Sequence, residues 1–282
     1  LGNYFAIVTC RNSENNIRYA LNSLKKQTLQ AEYVIVINDG STDRTAEILS
    51  DIQKYWNNNL YVINHPDWGY DIKRVVKNWN EAIKLTHDKA LQKTTHHMIA
   101  TDDTIYANDY VEKIISYMDS NPDVAIVSGN YNKFRIVAPH GAGRFIRNSF
   151  FEKTRWHGYY PEQMGYEDAI LYEANRCGYS YTVLNQARFD HTRPLGTNHK
   201  FYEWGASMRT LGYHPMFVLA RFLNCFITGK AAGRKGALYM LYYYLTYTPK
   251  SEGYDSMYSE EIRRYISKRQ TQRLKKVLFK MK

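Results

Sequence analysis

Apolar and polar positions along the first two-thirds of the chain switch repeatedly between a short-strand pattern and a helical one. β-rich apolar runs at "YFAIVT" (4–9), "YVIVI" (33–37), "LYVIN" (60–64), "HHMIAT" (96–101) and "VAIVSG" (124–129) predict strands. The unbroken run at 33–37 predicts a strand buried on both faces. Helical patterns fill the gaps. One runs over 14–26 with Ile17, Leu21 and Leu24 on one side, one follows "DGSTDRTAEIL" with Ser41 or Thr42 as its cap, and others cover 71–86 and 108–118. Strands separated by helices predict a mostly parallel sheet with right-handed crossovers. Such sheets bind ligands beyond the carboxyl ends of their strands. Arg11, Asp39 and the pair Asp102 and Asp103 all fall at those ends. Residues 130–165 are mixed and predict loops and short elements over that crevice. A helix over 167–178 ends at Gly178, and a strand follows at 179–184.

The pattern changes after residue 195. "KFYEWGASMRTLG" and "MFVLARFLNCFITG" predict helices, and "GALYMLYYYLTY" is strongly aromatic. The last segment carries Ile262, Ile266, Leu274, Val277, Leu278 and Met281 on one helical stripe among Lys and Arg. Neither apolar run reaches the roughly 20 residues needed to span a bilayer. The expected organisation is therefore a catalytic domain over 1–195 and a helical extension over 196–282. Charge sharpens that division. Residues 1–195 hold 22 basic and 22 acidic side chains, and residues 196–282 hold 16 and 5, so the whole net charge of +11 lies in the extension. A neutral front and a basic back predict chemistry in front and attachment to something anionic behind. The total of 282 residues at 44% hydrophobic composition suits one large domain with an appended module and excludes disorder. Cys10, Cys177 and Cys225 show no disulfide or zinc spacing, which fits a reducing compartment. With no signal-peptide pattern in the opening run, the expected location is cytoplasmic, peripheral at the membrane.

Four short stretches carry candidate chemistry. In "VINDGSTDRT" (36–45), Asp39 leaves a buried strand into Gly-Ser-Thr and a helix start. There it can accept hydrogen bonds from a base or sugar edge, or simply close a strand-turn-helix junction. "TDDT" (101–104) offers carboxylates of the kind that hold Mg²⁺ or Mn²⁺ together with substrate phosphates. A solvated turn is the other reading of the same residues. "MGYEDAIL" (164–171) sets Glu167 and Asp168 at a helix start, where the dipole favours their ionised forms. An ionised carboxylate there can take a proton from an acceptor hydroxyl, although such acids also decorate helix starts with no further role. "FDHTRP" (189–194) offers Arg193, and His191 as a metal ligand, a phosphate contact or a structural histidine.

Taken in order, strand-Thr-x-Arg-Asn-x-Glu, "NDGSTDRT", the acidic pair and "ED" before a helix resemble a family 2 glycosyltransferase of the GT-A fold over about residues 3–195. The resemblance implies an α/β fold, a Rossmann-like mostly parallel sheet flanked by helices, with the basic aromatic-rich helices appended. It implies that Thr9, Arg11, Glu14 and Asp39 line a nucleotide pocket, with Asp39 on the base. Asn80 in "WNEAI" matches an asparagine of the family's third helix. Asp103 matches the last acid of the metal-binding D-x-D motif, and Asp102 fills its variable middle position. Thr101 departs from the pattern, since an acid or Asn usually stands there. Asp168, with Glu167 beside it, matches the general base, and His191 lies where relatives touch metal or diphosphate. The implied reaction is an inverting transfer from a nucleotide sugar, GDP-mannose or a UDP-sugar, with a divalent cofactor, Mn²⁺ or Mg²⁺.

The aromatic and basic extension predicts amphipathic helices lying on an anionic membrane surface. That fits a lipid-linked or membrane-proximal glycan acceptor. A helical subdomain packing its stripe on protein is the alternative for the same residues. A polyprenyl phosphate acceptor would lessen the need for Asp168, and a non-catalytic nucleotide-sugar binder would have no use for a base at all. The chain lacks any recognised nucleic-acid motif, so no nucleic-acid partner is expected.

Overall fold

The computed structural model describes residues 1–56, 58–132, 138–139, 141–193, 201–229 and 233–280, with backbone alone for 276–280. Val277, Leu278 and Met281 of the expected stripe therefore lie outside the described side chains, as do residues 194–200 at the expected boundary. The chain divides into two units, Leu1–Tyr160 with Glu173–Leu195, and Pro161–Tyr172 with Gly196–Lys282.

The first unit is built on a sheet of eight strands. Strands β1 (Tyr4–Cys10), β2 (Tyr33–Asn38), β3 (Leu60–Asn64) and β4 (His96–Thr101) run parallel in the order β3-β2-β1-β4. Helices α1 (Ile17–Lys25), α2 (Thr45–Lys54) and α3 (Arg74–Asp88) join them as crossovers, and the apolar runs of β1, β2 and β4 are buried, while β3 at the sheet edge buries only Leu60. Helix α2 starts later than Ser41 or Thr42 would set it. Its cap position is Arg44, whose side chain makes no capping bond, and Asp43 just before it accepts the amide of Thr45 at 3.0 Å.

The sheet continues through β5 (Thr104–Tyr106), β6 (Val124–Tyr131), β7 (Arg144–Arg147) and β8 (Ser180–His191), with α4 (Tyr110–Ser120) packed on β6 and β8. Beyond β4 the order is β7-β6-β8-β5. Strand β7 is antiparallel to both neighbours, and β5 is antiparallel to β8. Strand β8 pairs with β6 through a register shift at Gly129 and Asn130, and its second half carries β5. The stretch 130–165 thus supplies a central strand as well as connections. Both arginines of that strand turn to backbone carbonyls. Arg144 is 2% exposed and donates from Nη2 to the Pro139 carbonyl at 3.0 Å. Arg147 pairs in register with His96, at the opening end of β4, and binds the Met118 carbonyl at 2.7 Å.

Helix α6 (Tyr166–Arg176) contains the division between the units. The second unit holds its first part with α7 (Tyr202–Thr210), α8 (Pro215–Thr228), α9 (Gly233–Thr246) and α10 (Glu260–Lys280). Helices α7 and α9 approach closely at Gly205, where a Cβ would stand 2.4 Å from the Met240 carbonyl oxygen. Tyr244 donates its hydroxyl to the Tyr213 carbonyl at 2.9 Å. Ile262 and Ile266 of the expected stripe are buried, and α10 packs against α8. No helix among the described residues is long and apolar enough to cross a membrane.

Candidate active site

The carboxyl ends of β1, β2, β3 and β4 gather two polar clusters. Register places Cys10 beside Asn38 and Thr9 beside Thr101, so Asp39 and Asp102 emerge on either side of β1. At a strand spacing of about 4.8 Å they stand roughly 10 Å apart. Cys10 senses both clusters. Burial first, and then the charges of Asp102, Asp43 and Asp39, push its thiol well up.

In the first cluster, Arg11 binds three strand-end loops together. Its Nη1 donates to the carbonyls of Asp39 at 2.5 Å and Gly40 at 2.7 Å, and its Nη2 donates to Asp67 Oδ1 at 2.6 Å. Asp39 is 8% exposed and receives Arg74 Nε at 2.8 and 3.2 Å on its two oxygens. The Asp39 carboxylate and the Arg74 guanidinium thus stand side by side as acceptor and donor. His65 and Arg74 both lie against the Trp68 ring, which is 60% exposed.

Glu14 and Asp43 stitch α2 to the end of β1. Asp43 accepts the Glu14 amide at 3.0 Å, and Glu14 Oε2 accepts the Arg44 amide at 3.2 Å. Burial raises the Asp43 carboxyl, but hydrogen bonds from Thr45 and Glu14 outweigh it and hold the group below its ordinary range. Thr9 is half-buried within β1. Asn80 places both ends of its amide on the Tyr160 backbone, at 3.0 and 2.8 Å. Of the expected nucleotide-pocket residues, Arg11 and Asp39 meet at the strand ends, whereas Glu14 ties to the start of α2 and Asn80 anchors the segment at Tyr160.

The second cluster forms because β5 pairs with the end of β8, in register Thr104 with His191. His191 Nδ1 comes to 3.1 Å from Thr104 Oγ1 and 3.4 Å from Asp103 Oδ1. Thr101 Oγ1 donates to Asp103 Oδ1 at 2.9 Å, so the threonine that replaces the usual acid orients the acid that remains. Arg193 Nη2 donates to Asp102 Oδ2 at 2.5 Å, and its Nε lies 3.5 Å from Asp103 Oδ2. The two acids respond differently. Burial raises the Asp102 carboxyl despite the nearby Arg193. Burial also opposes ionisation of Asp103, but His191, Thr101 and Arg193 together hold it below the ordinary range.

A divalent ion needs oxygen-rich donors, and the chemistry here is suitable. No three His, Cys, Asp or Glu side chains among the described residues converge as a closed cage. What converges is Asp103 with His191, and Asp102 adjoins them under the charge of Arg193. Two protein donors fit an ion whose remaining ligands are water and substrate phosphate oxygens.

The candidate base lies in the second unit. Asp168 stands in the first turn of α6, and its Oδ2 accepts the Tyr213 hydroxyl at 3.1 Å. Tyr213 is 6% exposed, and burial, then Asp168, raises its phenol far above the ordinary range. It therefore remains a donor and orients the carboxylate. Glu167 precedes Asp168 in the same turn.

Sequence reasoning missed Asp67, Arg74 and Tyr213, and it offered Arg193 without its acidic partners. Arg74 and Arg193 are far in sequence from the acids they meet, and only the sheet brings them together. Tyr213 had a faint signal, one tyrosine in a Gly-Tyr-His-Pro break between helices.

Comparison with known proteins bears on the fold and the family. The amylovoran biosynthesis glycosyltransferase AmsE of Erwinia amylovora is 29% identical over 148 residues, 51% of this chain and 50% of that protein. The chain thus matches about half the length of that relative. Among solved structures, S. aureus TarS 1–349 in complex with UDP has a TM-score of 0.56 at 19% identity, covering 80% of this chain and 72% of that one. The mannosyltransferase PcManGT of Pyrobaculum calidifontis, in complex with GDP-Man and Mn²⁺, has a TM-score of 0.57 at 15% identity, covering 86% and 70%. These likenesses show the GT-A fold. The family model described as "Glycosyl transferase family 2" matches residues 5–173, which include both strand-end clusters except His191 and Arg193, together with the Glu167–Asp168 turn. This chain belongs to glycosyl transferase family 2.

Proposed function

We propose that the chain transfers a sugar, with inversion, from a nucleoside-diphosphate donor to a hydroxyl of a lipid-linked or membrane-proximal glycan. The donor is GDP-mannose or a UDP-sugar. The observation that carries this reading is the pairing of Asp103 with His191 across β1 from the Asp39–Arg74 pair. The separation of roughly two strand spacings matches the reach from a base edge to its diphosphate.

Asp39 and Arg74 together present an acceptor beside a donor, which complements a ring N–H beside a C=O, as uracil and guanine have. Arg11 is committed to loop carbonyls and to Asp67, so it shapes the pocket floor. Asp103 and His191, with Asp102 adjacent, would hold a Mn²⁺ or Mg²⁺ ion. When bound, that ion supplies Lewis-acid neutralisation of the diphosphate. Arg193 adds a fixed positive charge beside the same phosphates.

Asp168 is the general base. It stands in the first turn of α6, and the Tyr213 hydroxyl turns it. Its carboxylate takes the acceptor's hydroxyl proton as the acceptor oxygen bonds to the anomeric carbon. The bond from that carbon to the diphosphate oxygen breaks on the opposite face, and the electron pair leaves with the nucleotide. Glu167 adds negative charge in the same turn. On the acceptor side, the reading rests on the 16 basic against 5 acidic residues of 196–282, which favour the cytoplasmic anionic surface of a membrane.

A thermal-shift panel of GDP, UDP, CDP and dTDP, with and without Mn²⁺, tests the donor side on wild type and Asp103→Ala. A ligand selective for the native state raises the midpoint. The expected result is a metal-dependent shift with GDP or UDP that disappears in Asp103→Ala. No shift with any nucleotide would overturn the reading.

A further inference from the structure

The apolar surface of the second unit is concentrated on one helical hairpin. Helix α8 buries a single stripe of Val218 and Cys225, with Phe222 half-buried between them. At 100° per residue, Leu219, Leu223 and Ile227 fall roughly on the opposite side of the helix. They are 40, 45 and 71% exposed. Helix α9 packs beside α8 and repeats the arrangement. It buries Gly236, Met240 and Tyr244, and it exposes Leu238, Tyr242 and Leu245 at 53, 58 and 67%. The outward stripes have the i, i+4 and i+7 or i+8 spacing of a face built to be covered. By contrast, Ile262 and Ile266 of α10 are already buried.

The charge around this hairpin identifies what covers it. From Trp204 to Ser251 the sequence contains six basic residues and no acidic one. A second copy bound by two-fold symmetry would set the exposed Arg234 and Lys235 against their own counterparts. An anionic lipid surface complements it. Each helix has 14 residues, too short to cross a bilayer and long enough to lie in its interface. Tyr239 and Tyr242, with an apolar ring and a wet hydroxyl, suit the headgroup layer, and Lys235 lies 6.0 Å over the Tyr239 ring.

We propose that the α8–α9 hairpin is a monotopic membrane-docking element that lies with Leu219, Leu223, Ile227, Leu238, Tyr242 and Leu245 in the interface of an anionic bilayer. Arg234 and Lys235, exposed at the start of α9, meet the lipid headgroups. The inference rests on the membrane-proximal acceptor proposed above and assigns that contact to one hairpin.

The test is co-sedimentation of the full chain with vesicles of phosphatidylcholine alone and of phosphatidylcholine containing one-third phosphatidylglycerol. Wild type is compared with Leu223→Asp/Ile227→Asp and with Arg234→Glu/Lys235→Glu. All four positions are exposed, so each variant is expected to keep the wild-type melting midpoint and its nucleotide shift. The expected result is salt-sensitive binding to the anionic vesicles only. The apolar pair of changes should weaken it by about tenfold or more, and the basic pair by roughly fivefold per reversed residue. Three results would overturn the proposal. One is wild type that stays in solution with both vesicles. Another is an apolar variant that binds like wild type. The third is loss of self-association or of RNA binding in the variants without any vesicle binding by wild type. Vesicle binding that persists in a chain showing no nucleotide shift would support the hairpin and count against the donor reading alone.

Discussion

Gly40 is the point where the base-side cluster is most tightly built, and Gly69 is an internal control for it. Both have a left-handed backbone, with φ of +65° and +75°. An alanine at either position carries the same conformational penalty of about 1 kcal/mol, partly offset by the reduced freedom of the unfolded chain. Their surroundings differ. A Cβ at Gly69 meets nothing within 4 Å, whereas one at Gly40 would stand 2.4 Å from the Pro66 carbonyl oxygen and 2.7 Å from the Asp67 Cα. Those are backbone atoms, so relief requires the Pro66–Asp67 segment to move. Moving it stretches the 2.6 Å contact between Arg11 and Asp67. Overpacking of this kind costs about 1–3 kcal/mol. Gly69→Ala is therefore expected to lose at most about 1 kcal/mol, and Gly40→Ala about 3 kcal/mol. Urea titration of both variants measures the difference directly, and nucleotide affinity should fall at least tenfold in Gly40→Ala alone, roughly the factor that 1.4 kcal/mol represents. Equal midpoint shifts in the two variants, or normal nucleotide binding by Gly40→Ala, would refute the close approach of the β2 and β3 loops as the reason for this glycine.

Asp168→Asn should abolish sugar transfer while retaining the nucleotide thermal shift, and Tyr213→Phe should reduce kcat by a smaller factor with KM for the donor unchanged; steady-state kinetics separates the two. Arg193→Ala removes the cation facing Asp102 and Asp103, so Mn²⁺ alone, followed by electron paramagnetic resonance, should bind more tightly than to wild type while the metal-free melting point falls. Burial pushes the imidazoles of His96 and His97 down to about 4, from 6.5 in the unfolded chain. The unfolded chain therefore takes up these protons first, so stability is complete above 6.5 and declines as pH falls toward 4, by at most about 3 kcal/mol for each histidine. Urea midpoints at several pH values should show this decline, and His97→Gln, which can still hydrogen-bond Asn148, should flatten it. Glu173 is buried, and although burial opposes its ionisation, Arg176 at 2.6 Å and Arg155 at 3.1 Å hold its carboxyl below 4.5. Its contribution is present above 4.5 and is lost as pH falls through the lower folded value; Glu173→Ala should cost about 3 kcal/mol at neutral pH, measured by chemical denaturation.

The parts of the fold legible in the sequence were those that burial writes locally. Strands β1, β2, β4 and β6 carry apolar runs because they are buried in the sheet, and β3 carries one although most of it is half-buried. Strand β7, "RFIR", hides between two arginines whose charges are absorbed by carbonyls of Pro139, Met118 and Val124, contacts that no periodicity reveals. Strand β5 has three residues, too few to show a period. The second half of β8 alternates irregularly because the sheet shifts register beside it. The site divides in the same way. Asp39, Asp103 and Asp168 lie in short contiguous motifs, so the chain announces them. Arg74 and Arg193 act on acids 35 and 91 positions away, and Tyr213 acts on one 45 positions away. Those pairings exist only once the chain has folded.

The turn of Asp102 and Asp103 joins a strand in the middle of the sheet to the strand at its far edge. Its length of two residues is therefore a constraint on how this site can vary over time. In β5, Thr104 and Tyr106 point inward and Ile105 outward. One inserted or deleted residue would exchange those faces and uncouple Thr104 from His191. Single-residue replacements leave that pairing in place, as Thr101 already illustrates. The acidic turn is thus free to change its chemistry by substitution, while insertions and deletions are closed to it.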